Sequence, residues 1–212
     1  LLTIFIFLFS LAQTEVYAQK KSRKMIKADY TFNLEQYVLA AELYKKAYKT
    51  EKNRAIKSEI IFRQAECYRM SGNYKRAASY YKRAIRAKYP DVIVYLRYAD
   101  VLRMQEDYTQ AQLQYTKYMT LNPTDVSGEM GLKSCAFALK WKDLPTRYKV
   151  ELMPLVNSRN SDYSPAFGNG EYTEMYFTSS RVGGLSDDID DRTGEAFSDV
   201  YITQINKKGT WS

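Results

Sequence analysis

Ala65-Glu-Cys-Tyr-Arg-Met-Ser-Gly-Asn-Tyr-Lys-Arg-Ala-Ala-Ser-Tyr-Tyr-Lys-Arg-Ala-Ile-Arg-Ala-Lys-Tyr-Pro90 decides the fold of this 212-residue chain. It reads as two amphipathic helices around a breaker. Ile61, Ala65 and Tyr68 recur at i, i+4, i+7, one face of a helix. Ser71-Gly72-Asn73 stops that helix, since Gly and Asn tolerate left-handed turn geometry. A second helix starts near Tyr74 and puts Ala77, Tyr81 and Ala84 on its inner face. Pro90 closes the unit, because proline cannot continue a helix interior.

The same unit recurs on both sides. A shift of 34 residues lays Arg63 on Arg97, Ala65 on Ala99, Arg69 on Arg103, Met70 on Met104, Tyr74 on Tyr108, Ala77 on Ala111 and Tyr81 on Tyr115. A shift of 37 lays Tyr37 on Tyr74, Ala40 on Ala77, Tyr44 on Tyr81 and Ala47 on Ala84. Pro123 ends the third unit, in which Tyr118 stands where the last alanine is due, so packing there must differ. The first unit, about residues 21–54, has a good second helix and a weak first one. Leu132, Cys135, Ala136 and Leu139 predict the first helix of a fourth unit without a second, a solitary helix that caps the stack.

This pattern resembles the tetratricopeptide repeat (TPR) family: a period of 34, a small residue in the first helix, and Tyr-x-x-Ala-x-x-x-Tyr-x-x-Ala in the second. The match is close over Ala65–Pro90 and Ala99–Pro123. The resemblance implies an α-solenoid over residues 28–142 whose first helices line a concave partner groove. The candidate groove residues are then Arg63, Arg69, Met70, Arg97, Arg103 and Met104. Arginine there can pair bidentately with an acidic side chain or a C-terminal carboxylate, and methionine gives adaptable apolar contact. The local alternative is intrahelical pairing with Glu66 and Asp100, three residues from each arginine and worth a few tenths of a kcal/mol. The helix phase leaves open which pair faces the groove, with Arg69 and Arg103 favoured. Most tyrosines, among them Tyr37, Tyr44, Tyr68, Tyr74, Tyr81, Tyr108 and Tyr115, fall on packing positions, which leaves little to an aromatic sugar platform. Cys67 and Cys135 lie on first helices two repeats apart. Helices pack ~8–10 Å apart, beyond the ~7 Å reach of a disulfide, so two buried, unpaired thiols are expected.

Composition narrows the function. The hydrophobic content of 45% provides a core. There is no histidine, which removes Ser-His-Asp and Cys-His catalysis; no cofactor and no enzyme activity are expected. The net charge of +8 can attract nucleic acid, anionic lipid or acidic protein. No nucleic-acid motif accompanies it. Leu1–Ala12 is an apolar run suited to a signal-peptide core and shorter than the ~20 residues of a membrane span. Cleavage is expected after Ala18, with Ala12 as the alternative and an uncleaved anchor as the next reading. Residues 19–27, with Lys20, Lys21, Arg23, Lys24 and Lys27, then form a basic, solvated leader. Without an initial Met or a basic start, residues are expected before Leu1.

Residues 143–149 read as a linker, and beyond them the pattern changes to strands. Val150–Val156 is a candidate strand or edge segment, with Pro154 arguing against a central one. Ser164–Phe167 and Glu174–Ser179 flank Gly168-Asn169-Gly170 and predict a hairpin. Asp199–Ile205 predicts another strand. Asp187, Asp188, Asp190, Asp191 and Glu195 form an acidic loop that lacks the EF-hand pattern and reads as a solvated connection.

Asn157-Ser158, Ser161–Phe167, Tyr176–Arg181 and Asp199–Ile202 resemble one blade of the TolB-like β-propeller family. The fold class expected is therefore α + β multidomain: a solenoid of TPR helix pairs followed by antiparallel strands of a first blade, residues 150–212. A propeller needs about 4–8 blades, so a longer protein is expected. The order of segments is similar to OmpA-family envelope proteins of Bacteroidetes-type bacteria, some of them parts of the type IX secretion and gliding machinery. That resemblance implies a periplasmic, outer-membrane-associated scaffold with a protein partner in the envelope. It reaches peptidoglycan only through a domain this sequence does not contain. The competing reading is the front of a propeller-bearing serine peptidase, whose nucleophile elbow the sequence does not show.

Overall fold

The computed structural model describes residues 21–212 apart from 145 and 187; the expected signal segment lies outside the described residues. Helices α1 (Arg23–Asn33), α2 (Tyr37–Thr50), α3 (Arg54–Met70), α4 (Tyr74–Arg86), α5 (Ile93–Met104), α6 (Tyr108–Leu121) and α7 (Ser127–Lys142) come first. Strands β1 (Asp162–Phe167), β2 (Glu174–Ser179) and β3 (Asp199–Gln204) follow.

Each helix packs on the next, and α5 also touches α7. Arg63 of α3 lies over the Phe32 ring of α1, 5.9 Å from its centroid. The odd-numbered helices thus approach one another and form the inner layer of a curved stack. Ala40, Tyr44 and Ala47 on α2 and Ala77, Tyr81 and Ala84 on α4 are fully buried, so the alanine–tyrosine pattern is the helix-packing surface. Helix α1 starts at Arg23, inside the expected leader, because Met25, Ala28 and Thr31 have a face of α2 to cover.

The turns repeat as faithfully as the helices. Glu35, Gly72 and Glu106 hold the left-handed conformation, at φ 61°, 78° and 61°. Asn73 and Asp107 follow two of these and accept N–H bonds from Arg76 and Gln110, capping α4 and α6. Only Gly72 advertises this geometry; the two glutamates adopt it at a cost of about 1 kcal/mol each.

Helix α7 covers the stack with a face rotated from the predicted one: Cys135 and Leu132 pack on the core as expected. Gly128, Gly131 and Cys135 are buried, whereas Ala136 and Leu139 are exposed. The reason is Tyr115: a Cβ at Gly131 would lie 2.3 Å from its ring, so only glycine lets α7 seat on α6. Tyr118 fills the space of the missing alanine and donates to Asp125 Oδ2 at 2.5 Å. Met130, Phe137 and Trp141 remain exposed on the far side of α7.

The strands form an open antiparallel sheet in the order β1-β2-β3. Val150–Val156 is not a strand; it turns at 154–156, as Pro154 requires. Val156 instead packs on Met175 and Phe177 as a small core under one face. The other face leaves Tyr176, Val200 and Ile202 exposed. Edge strand β1 carries Pro165 and an irregular register between Tyr163 and Ala166, which blunts that edge.

Candidate functional site

The inner helices carry one polar device three times. Tyr44 OH donates to Asp29 Oδ1 at 2.6 Å, Tyr81 OH donates to Glu66, and Tyr115 OH donates to Asp100 Oδ1 at 2.7 Å. In each repeat an acid on the first helix meets a tyrosine fifteen residues later on the second. The three phenols are buried. Burial and the facing carboxylates push their pKa values well above the usual tyrosine range.

A cation completes each pair. Lys21 Nζ lies 2.8 Å from Asp29 and 2.9 Å from Glu59 on the neighbouring first helix. Arg69 binds Glu66 with Nη2 at 2.7 Å and Nε at 3.4 Å. Arg103 Nε donates to Tyr115 OH at 3.3 Å. The favoured arginines, Arg69 and Arg103, are therefore engaged inside their own repeats. Arg97 lies 3.7 Å from Asp100. Arg63 has a buried Nε without a hydrogen-bond partner. Among the described residues no two of the four arginines share a hydrogen-bond or ion-pair partner. Met70 and Met104 are exposed at the ends of consecutive first helices, and of the six candidates they present the most open surface. Lys21 was expected in a solvated leader, but its two carboxylates hold it to the stack. The acid–tyrosine pairs were not read from sequence, although the fifteen-residue spacing repeats there.

Cys67 and Cys135 are both free and buried. They occupy the same place two periods apart, with Val101 between them. Burial pushes both thiols up from the ordinary range, which suits apolar packing rather than nucleophilic chemistry. Among the described residues no group of three or more acids, cysteines or histidines is placed to hold a metal. No helix among them is long and apolar enough to cross a membrane.

The acidic loop does not behave as a solvated connection; Asp187 lies outside the described residues. Val38 N–H at the start of α2 donates to Asp191 O at 3.0 Å, and Arg192 pairs with Glu35. Gly194 packs on Val38, where an added Cβ would meet Cγ2 at 3.2 Å. Glu195 turns back to its own sheet and accepts from Ser180 Oγ and, at 3.3 Å, from Ser161 N–H. Between this loop and the helix ends lies a cavity of about 600 Å³, with Glu42, Tyr68, Asn73, Arg76, Gln105 and Glu195 in its wall. It lies along the edge formed by the α1–α2, α3–α4 and α5–α6 turns.

Inside the sheet, Asp162 gathers the residues on which the strand resemblance rested. Ser158 N–H, Ser179 Oγ and Arg181 Nη2 donate to it at 2.5, 2.6 and 2.8 Å. Burial opposes its charge, but these donors outweigh burial and hold its carboxyl well below the usual range. Arg181 also reaches Val156 O at 2.5 Å. This cluster ties the segment before β1 to β2, and Asp162 also borders a small, mostly apolar cavity of about 150 Å³ with Met153, Val156 and Phe177.

No family model and no curated protein matches the chain. Solved structures do. The chain is similar to the first TPR of Spaghetti (RPAP3) bound to HSP90 peptide SRMEEVD, with TM-score 0.50 and 17% identity over 55% of this chain and 90% of that one. The Sgt2 TPR domain from Aspergillus fumigatus gives TM-score 0.50 and 17% identity over 60% and 86%. The C. elegans myosin chaperone UNC-45 in complex with a Hsp90 peptide gives 0.53 and 17% over 59% of this chain, which spans only 14% of that larger one. At such identities the likeness is one of fold, and the helical part of this chain has the tetratricopeptide-repeat fold.

Proposed function

We propose that this chain is a non-catalytic scaffold that holds a segment of a protein partner along its inner helix layer. The observation that carries the reading is the recurrence of Met70 and Met104, exposed at equivalent ends of consecutive first helices. Methionine offers apolar contact that adapts to a partner, and its neighbours are already charge-compensated. Similar folds in complex with HSP90 peptides support a protein-binding role for the repeats. Arg63, Arg69, Arg97 and Arg103 border the surface; Arg69 and Arg103 act mainly by holding it in shape.

The partner is a component of the cell envelope, and the chain works in the periplasm near the outer membrane. What supports this is the apolar run Leu1–Ala12 and the order of the sequence resemblances. In the same reading the three strands belong to a TolB-like propeller, and the whole protein links outer-membrane components to peptidoglycan as OmpA-family proteins do. The exposed face formed by Tyr176, Val200 and Ile202 suits a sheet that continues into neighbouring blades.

The test is photo-crosslinking in cells from a reactive residue placed at Met104. Capture of one outer-membrane or secretion component is expected, and Met70→Asp should reduce it at least tenfold. Capture unaffected by Met70→Asp would move the site off the inner layer. Capture of cytoplasmic proteins alone would sink the envelope reading.

A further inference from the structure

Helix α4 differs from the rest of the stack in its charge. Its thirteen residues carry Lys75, Arg76, Lys82, Arg83 and Arg86 and no acid. On α2, α3, α5 and α7 a cation pairs with an acid of the same helix: Lys45–Glu42, Arg69–Glu66, Arg97–Asp100 and Lys133–Glu129. Among the described residues, none of the five α4 cations has a carboxylate partner. At about 100° per residue they fall within an arc of about 120°, opposite Ala77, Tyr81 and Ala84, and extend over about 16 Å. Lys75 and Arg76, at its start, border the cavity that Ser71 and Gln105 also line; Lys82, Arg83 and Arg86 lie further along the outer layer.

Two of the cations are seated. The Arg83 guanidinium lies 4.5 Å from the Tyr80 ring centroid and Arg76 lies 5.6 Å from that of Tyr68. The two rings are themselves 5.0 Å apart. Arg83, Tyr80, Tyr68 and Arg76 therefore form one continuous chain of contacts, with the two rings tilted by 51°. The rings seat the guanidinium groups, and no acid among the described residues takes up their N–H donors, an arrangement ready for bidentate contact with phosphate. At the Arg76 end, Glu42 and Glu195 share the adjoining cavity without pairing with it. Lys82, Arg83 and Arg86 face no such acids.

We infer that the outer face of α4 docks on a membrane surface through the phosphates of anionic phospholipids. The face is an array of five cations along one side of a single helix, suited to a sheet of headgroups. None of the exposed large apolar residues lies on α4, so contact is electrostatic and superficial. An arginine already lies over each of the Tyr68 and Tyr80 rings, which competes with the base stacking that single-stranded nucleic acid uses. The helix carries no Asn or Gln to read base edges.

The test is co-sedimentation of the full chain with phosphatidylcholine vesicles, with and without phosphatidylglycerol. Neutral vesicles report any contribution of Leu1–Ala12, and the increment on adding phosphatidylglycerol reports α4. Each cation near an anionic surface is worth a factor of about five in partitioning. Lys82→Gln plus Arg86→Gln should cut the increment about twentyfold, and high salt should abolish it. Arg83→Lys keeps the charge but loses the seat, and should cut it severalfold. Lys117→Gln plus Lys140→Gln makes the same change in net charge elsewhere and should leave it intact. All these side chains are exposed, and unchanged thermal melting confirms the fold. An increment that survives Lys82→Gln plus Arg86→Gln, or falls equally in the Lys117/Lys140 control, overturns the inference. So does α4-dependent binding to duplex DNA with no anionic increment on vesicles. Neither result bears on crosslinking from Met104, which probes the opposite layer.

Discussion

Each tyrosine hydroxyl of the inner device satisfies an acid that the neighbouring helix has largely removed from water. Glu66 depends on Tyr81 and Arg69 together. Tyr81→Phe keeps the ring and removes the donor, so it should destabilise the protein by about 1–3 kcal/mol, measured by urea unfolding. The phenol pKa values add a pH dependence. Folding keeps protons on Tyr44, Tyr81 and Tyr115 that the unfolded chain releases near pH ~10. Their stabilisation is full below that pH and drains away as pH rises above it. The melting temperature should fall above pH ~10, and more shallowly in a triple Phe variant. The apolar half of these residues was legible in the sequence, because alanine and tyrosine recur at helical spacing. The polar half was not, because Asp29 and Tyr44 lie on different helices and only their packing joins them. The local pair of Arg69 with Glu66 was legible as three-residue spacing on one helix, whereas the bond of Arg103 to Tyr115 on the next helix was not.

The helical elements were legible because their boundaries carry chemical punctuation. Asn73 and Pro90 bracket α4, and Asp107 and Pro123 bracket α6. The end helix was harder. Of the expected face Leu132, Cys135, Ala136 and Leu139, the first two do pack on the core, but Ala136 and Leu139 stay exposed because the steric bulk of Tyr115 selects the glycine side. Gly131→Ala should shift α7 outward and cost about 1–3 kcal/mol, seen as faster hydrogen exchange in α7 with α1–α4 unchanged. Gly72→Ala tests the turn alone, since open space surrounds it; its left-handed backbone should cost about 1 kcal/mol. Val150–Val156 was misread for a related reason. Only Val156 and Met153 turn onto the sheet core, while Val150, Leu152 and Leu155 stay exposed, so the apolar run marks no paired edge.

The whole molecule joins its two parts at both ends of the stack. Residues 143–161 connect them covalently beyond α7, while the 190–194 loop returns to α1 and α2. Arg192 and Glu35 are separated by 157 residues in sequence, and no local pattern announces such a meeting. A period can be read along a chain, but a docking contact has no period. Gly194→Val would press on Val38 and violate a φ of 81°. It should release the loop, detected as increased hydrogen exchange at Val38 and in residues 188–196, with the helices still protected. The stack is thus a bow and the strand segment its string. A guest that widened the curve of the inner layer would have to stretch or detach that string. Tension at Arg192 and Val38 would then register, at the rim, what had been gripped inside.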